Sequence, residues 1–152
     1  MPGACLAAAG SATAARSACE AKAAAAAAKA TGLPFVVSFV TDWKGRLLSG
    51  EPIADAAPAL ASFSPDALGV NCVPVASLSV DFAVLAASAP TLPLAAYGNL
   101  GLPADGQGWS FTEELDPAAY AQAARGWVDR GARIVGGCCG TTCAHTRALA
   151  RM

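Results

Sequence analysis

Four short apolar runs, each followed by a loop and then by a helix-forming stretch, recur along these 152 residues. Phe35-Val36-Val37-Ser38-Phe39-Val40 is continuous and rich in β-branched types, as expected for a strand buried on both faces. Ala67-Leu68-Gly69-Val70-Asn71 ends at Cys72, Leu94-Ala95-Ala96-Tyr97 follows, and Ala132-Arg133-Ile134-Val135 is the last. Strand, loop and helix at this spacing predict βα units on a parallel sheet, an α/β fold. A closed (β/α)8 barrel takes eight such units and about 250 residues. This chain holds about four, half of a TIM-type barrel.

The helical stretches carry their own punctuation. Ser17 to Ala30 is Ala-rich and a strong helix former, stopped by Gly32 and Pro34. A polar loop over 42–52 leads to a short helix around 53–62, in which Pro58 must sit in a first turn or bend the axis. A helix over 77–89 ends before Pro90, and a long loop over 98–115 separates the third strand from Asp116-Pro117, a capped helix start. That helix runs to about Arg130 and Gly131 closes it, while Thr141 or Thr142 caps a final helix.

Composition narrows the class of function. Hydrophobic residues are 55% of the chain, enough for one domain with a core, although much of that share is Ala, which buries little area. A formal net charge of −1, with no long charged run, argues against nucleic acid and anionic membrane as partners and favours a small molecule. No apolar run approaches the roughly 20 residues that cross a bilayer. The first residues show no secretory signal, which predicts a cytoplasmic protein. Residues 1–19 contain Arg16, several Ser and Thr and no acid, a composition shared with organelle transit peptides, but Ala-rich low complexity is the simpler reading.

Six cysteines without a secretory signal point to reduced thiols or metal ligands. Gly69-Val70-Asn71-Cys72 puts one at a strand's C-terminal end, and Gly136-Gly137-Cys138-Cys139-Gly140-Thr141-Thr142 puts two at another. Strand C-termini are where parallel βα proteins collect their active sites. Vicinal cysteines pair with each other only through a strained ring, and flanking glycines let both sulfurs turn toward one ion. Three thiolates with an open fourth position suit a catalytic zinc. A buried cysteine acting as a small hydrophobe is the competing explanation, and 66 residues separate Cys72 from Cys138, so the fold alone can join them.

These motifs resemble the homocysteine S-methyltransferase family. The likeness rests on Gly69-Val70-Asn71-Cys72, on Arg133 through Thr142 with His145 behind it, on Leu33-Pro34, on Leu48-Ser49-Gly50-Glu51-Pro52 and on Tyr97-Gly98-Asn99, so it spans roughly residues 20–150. It implies that 17–152 is the C-terminal half of a homocysteine-binding (β/α)8 barrel behind a low-complexity segment, 1–16. It implies further that Cys72, Cys138 and Cys139 bind Zn2+ on the sixth and eighth strands. The implied reaction moves a methyl group from betaine, S-methylmethionine, S-adenosylmethionine or methyltetrahydrofolate to the thiol of homocysteine, giving methionine. No Asp-Gly motif of the family's first strand is found, and Met1-Pro2 matches the point just past its fourth strand. The expectation is a fragment active within a complete barrel, or a noncatalytic zinc-binding or interaction remnant, with strand edges open to self-association.

Around the cysteines, Asn71 is a candidate to orient a ligand, and Tyr97 and Asn99 are candidates to line the pocket from the strand between the ligand strands. Packing roles compete for all three. His145 reads as a surface cap rather than a ligand, Trp109 with Gln107 and Gly108 as a lid or a loop anchor, and Cys5, Cys19 and Cys143 have no assigned role.

Overall fold

The computed structural model describes residues 13–103, 109–110 and 115–152. Five parallel strands lie in chain order across one sheet: β1 (Thr13–Ala15), β2 (Val36–Phe39), β3 (Ala67–Pro74), β4 (Leu94–Asn99) and β7 (Ala132–Gly137). Between them run α1 (Ala18–Ala30), α2 (Ile53–Ala56) with a 3-10 helix (Pro58–Phe63), α3 (Val75–Ser88) and α4 (Pro117–Asp129), and α5 (Cys143–Leu149) closes the order. The connection from β4 to α4 contains a small antiparallel pair, β5 (Leu102–Pro103) with β6 (Trp109–Ser110).

The α/β alternation read from the sequence is present, with one strand more than expected. β1 pairs with β2 from Thr13↔Val37 to Ala15↔Phe39, inside the stretch that composition marks as low complexity. Thr-Ala-Ala has no apolar β-branched pattern to announce a strand. Pro58 does break the short helix, at the first turn of the 3-10 segment. β3 continues past Cys72 to Pro74, and β4 continues to Asn99, two residues beyond the apolar run that marks it.

Local chemistry explains the element ends. Ser17 caps α1 by accepting from the Glu20 amide, and the Glu20 carboxylate accepts at 2.8 Å from the amide of Arg16, the residue before the cap. Ala21 and Ala25 are its buried positions, small enough to bring the helix close to the sheet. Asp116 caps α4 with two bonds of 2.8 Å to the Ala118 and Ala119 amides. Asp81, the one charged residue of α3, is fully buried and anchors the loop after β2, accepting from the Thr41 hydroxyl and from the Gly45 amide at 2.6 Å.

Alternation along the strands gives the sheet two different faces. Val37, Phe39, Leu68, Val70, Leu94 and Ala96 pack into the helix-side core with Leu78, Phe82, Leu85, Tyr120 and Trp127. The other face is built from small residues, Ser38, Gly69 and Ala95 in one row, with Asn71 and Tyr97 in the next row toward the strand C-termini. Among the described residues β1 and β7 each have a single strand neighbour, and no helix is long and apolar enough to cross a membrane.

Candidate metal centre

β3 and β7 flank β4, and all three end at the same edge of the sheet. The ladder between β3 and β4 runs evenly to Asn71↔Tyr97, then resumes at Val73↔Gly98, leaving Cys72 as the extra residue of a bulge. Its φ of 59° is left-handed, unusual for a residue with a side chain. That backbone turn takes the thiol out of the strand's alternation. The Asn99 side-chain nitrogen holds the turn by donating to the Cys72 carbonyl at 3.0 Å, and it lies 3.8 Å from the Cys72 sulfur.

The β7 end is fixed by backbone bonds. The Cys138 amide donates to the Gly98 carbonyl at 2.9 Å, and the Leu100 amide donates to the Cys139 carbonyl at 3.0 Å. Thr141 turns the chain back, its hydroxyl donating to the Cys138 carbonyl at 2.7 Å. Gly140 takes a φ of 82°, where a side chain would be strained. Gly136 is required for a different reason: a Cβ there would sit 2.6 Å from the Tyr97 ring. Residues 98–100 of β4 and its continuation therefore contact the backbone of all three cysteines.

These constraints bring the thiols together. The Cys72 and Cys139 sulfurs are 3.5 Å apart, those of Cys138 and Cys139 are 3.8 Å apart, and all three lie within 4.8 Å of one another. A tetrahedral zinc with Zn–S bonds of about 2.3 Å has sulfur–sulfur edges of about 3.8 Å. The spacing and the soft donor set both fit such an ion, and among the described residues no other group of His, Cys, Asp or Glu has metal-binding spacing. Burial, then the neighbouring Cys72, pushes the Cys138 thiol up to about 12, and the same causes raise Cys139. Without a cation these two thiols stay protonated at neutral pH; a divalent ion supplies the charge that makes them thiolates.

The remaining candidates separate clearly. Asn99 reaches Cys72, while Tyr97 and Asn71 lie side by side on the face away from the helices, both part-buried. Burial raises the Tyr97 phenol above its ordinary range. His145 is a cap, as expected, but a buried one: its Nδ1 accepts from the Thr142 amide at 3.1 Å and its Nε2 lies 3.0 Å from the Leu115 carbonyl. Cys19 and Cys143 are exposed on helices and stand outside the cluster. Cys5, Gln107 and Gly108 lie outside the described residues, so the lid expected around Trp109 falls largely outside them too.

Two features were missed in the sequence. Cys72's bulge has no local signature, since neither neighbour is Gly. Tyr120 reaches the site from α4, its hydroxyl 2.9 Å from the Gly98 carbonyl and 2.8 Å from that of Gly136. Its spacing with Ala124 and Trp127 marks a buried helix stripe but not the hydroxyl's destination.

Comparison with known proteins places the fold among solved and curated relatives. The family model described as homocysteine S-methyltransferase matches residues 12–152. The methionine synthase of Mycobacterium leprae is 33% identical over 121 residues, 78% of this chain and 10% of that protein. Homocysteine S-methyltransferase 1 of Zea mays is 33% identical over 113 residues, 70% of this chain and 34% of its own length. The homocysteine methyltransferase MmuM of Escherichia coli, solved in a metallated form, superposes with a TM-score of 0.72 at 28% identity, covering 90% of this chain and 42% of that one. Its apo form gives 0.71 and 46%. The chain thus spans less than half the length of each of these relatives.

Proposed function

This chain belongs to the homocysteine S-methyltransferase family, and on that premise we propose that Cys72, Cys138 and Cys139 hold a zinc ion and that the site serves methyl transfer to the thiol of homocysteine. The observation that carries the reading is the convergence of three thiol sulfurs, with neighbours at 3.5 and 3.8 Å, at the C-terminal edge of a parallel sheet. Bound there, zinc supplies a position at which a substrate thiol is kept as its reactive thiolate at neutral pH.

The chain's own residues do the rest. Asn99 fixes the left-handed turn that aims Cys72, and the ladder from Gly98 and Leu100 fixes Cys138 and Cys139. Tyr97 and Asn71, paired on the face away from the helices, would line the substrate's approach. In the reaction the homocysteine sulfur forms a bond to the methyl carbon, the bond from that carbon to the donor's sulfur or nitrogen breaks, and its electron pair stays with the donor. No side-chain base is needed, because the nucleophile is deprotonated before the transfer. The cytoplasm, which keeps such thiols reduced, is the compartment this chemistry suits.

The test is methionine formation from homocysteine by the zinc-loaded chain combined with the complementary barrel half of a family member, with betaine, S-methylmethionine, S-adenosylmethionine and methyltetrahydrofolate supplied one at a time. Turnover with one donor, lost on chelation and in Cys72→Ser, supports the reading. Stoichiometric zinc with no methionine from any donor would favour the noncatalytic metal-binding alternative.

A further inference from the structure

Tyr120 is completely buried, yet its ring and its hydroxyl serve different neighbours. The ring stands edge-on to Trp127 at 5.8 Å and to His145 at 5.5 Å, contacts that a phenylalanine would make equally well. The hydroxyl has a single proton and two acceptors, the carbonyls of Gly98 at 2.9 Å and Gly136 at 2.8 Å. Those carbonyls belong to β4 and β7, on opposite sides of the seam that carries the paired cysteines. The Gly98 carbonyl is also the acceptor for the Cys138 amide at 2.9 Å, and Gly136 lies two residues before Cys138. A Cβ on Gly98 would come within 3.1 Å of the hydroxyl and 2.9 Å of Trp127, so the close approach depends on glycine at that point.

We infer that Tyr120 is a positioning residue for the Cys138–Cys139 pair, its hydroxyl bridging the ends of β4 and β7 by one proton shared between their two carbonyls, so that both sulfurs face Cys72. Among the described residues β7 has only β4 as a strand neighbour, so the hydroxyl reinforces the Cys138–Gly98 and Leu100–Cys139 backbone bonds on the one side where the strand is held. The ring extends the hold to the far side of the motif, since His145 caps the helix that begins at Cys143. This role rests on the metal reading above only for its effect on zinc; the clamp on the backbone is a property of the protein alone.

Two variants of the full chain test it. Tyr120→Phe keeps the ring and removes the hydroxyl, while Trp127→Phe trims the neighbouring ring and leaves the hydroxyl in place. In the metal-free protein, hydrogen exchange of the Cys138 amide should quicken about tenfold in Tyr120→Phe, the scale of one lost hydrogen bond, with the Val70 amide of β3 unchanged. Zinc affinity, read by competition with a chromophoric chelator, should fall about 10- to 100-fold in Tyr120→Phe, and the thiolate-to-metal absorption of the Co2+ form should shift. Trp127→Phe should lower the melting temperature without either effect. Wild-type exchange at Cys138 in Tyr120→Phe, or the same acceleration in Trp127→Phe, would overturn the inference. A wild-type chain that binds no zinc would count against the metal reading, and the exchange measurement would still decide the role of Tyr120.

Discussion

The side-chain nitrogen of Asn99 donates to the carbonyl oxygen of Cys72 at 3.0 Å, so the last residue of β4 holds the bulge that aims a thiol from β3. A left-handed cysteine costs about 1–2 kcal/mol relative to ordinary backbone, and this bond helps the chain keep it. Asn99→Ala should therefore leave the fold in place but weaken zinc by about tenfold or more, measured by chelator competition. Asn99→Asp, which replaces the donor by a carboxylate facing a carbonyl, should be at least as damaging. Unchanged affinity in both would mean that the bulge holds itself.

Gly136 faces the ring of Tyr97, and a Cβ there would sit 2.6 Å from two ring carbons. Gly136→Ala should cost about 1–3 kcal/mol, as overpacking does, and should lower zinc affinity because the strand leads directly into Cys138. Gly126→Ala is the contrasting change. It lies inside α4, where its Cβ would meet only the flexible end of Arg130 at 3.2 Å, and it should stabilise by up to about 1 kcal/mol. Thermal melts of the two variants check the opposite signs.

Much of this is legible in the sequence, and the exceptions have physical causes. The runs beginning at Phe35, Ala67 and Leu94 declare themselves as strands because buried parallel strands need continuous apolar sequence, and the Ala132 run does so less fully, with Arg133 exposed in it. The glycines around Cys138 and Cys139 likewise declare a turn. Thr13–Ala15 declares nothing, because a short strand of small residues takes its place through pairing with β2 rather than through its own pattern. The bulge at Cys72 was hidden because register is a property of two strands and the sequence shows one at a time. Asp81 is visible in the sequence as the one charge in an apolar helix, but its two donors, Thr41 and Gly45, lie about 40 residues away and only the fold brings them to it.

The thiol environment sets a pH dependence. Burial raises Cys138 to about 12 and Cys139 in the same direction, so at neutral pH a metal must displace at least those two protons. Apparent zinc affinity should rise with pH, by about two decades per unit near neutrality, and fall as pH falls. In the metal-free chain the sign reverses. Groups whose folded pKa is raised contribute stability below the unfolded value and lose it above, so stability should fall as pH climbs from near 9 toward 12. Chelator competition across pH 6–8, a window of about two units, checks the first slope, and a pH-independent affinity would contradict it.

The outer edges of β1 and β7 have no strand partner among the described residues, and unpaired edges recruit other chains. The purified protein should run in light scattering as a species larger than its 15.0 kDa monomer. A monodisperse 15.0 kDa particle would show that those edges are otherwise protected.

The central claim is that Cys72, Cys138 and Cys139 hold zinc with room for the substrate's sulfur, and zinc K-edge absorption reads that directly. Protein loaded with one equivalent of zinc should show three sulfur neighbours at about 2.3 Å and one lighter atom, and homocysteine should raise the count to four sulfurs. Cys138→Ser should lose the stoichiometric metal, while Cys19→Ser should keep it. A shell that homocysteine leaves unchanged, or zinc retained without Cys138, would contradict the account.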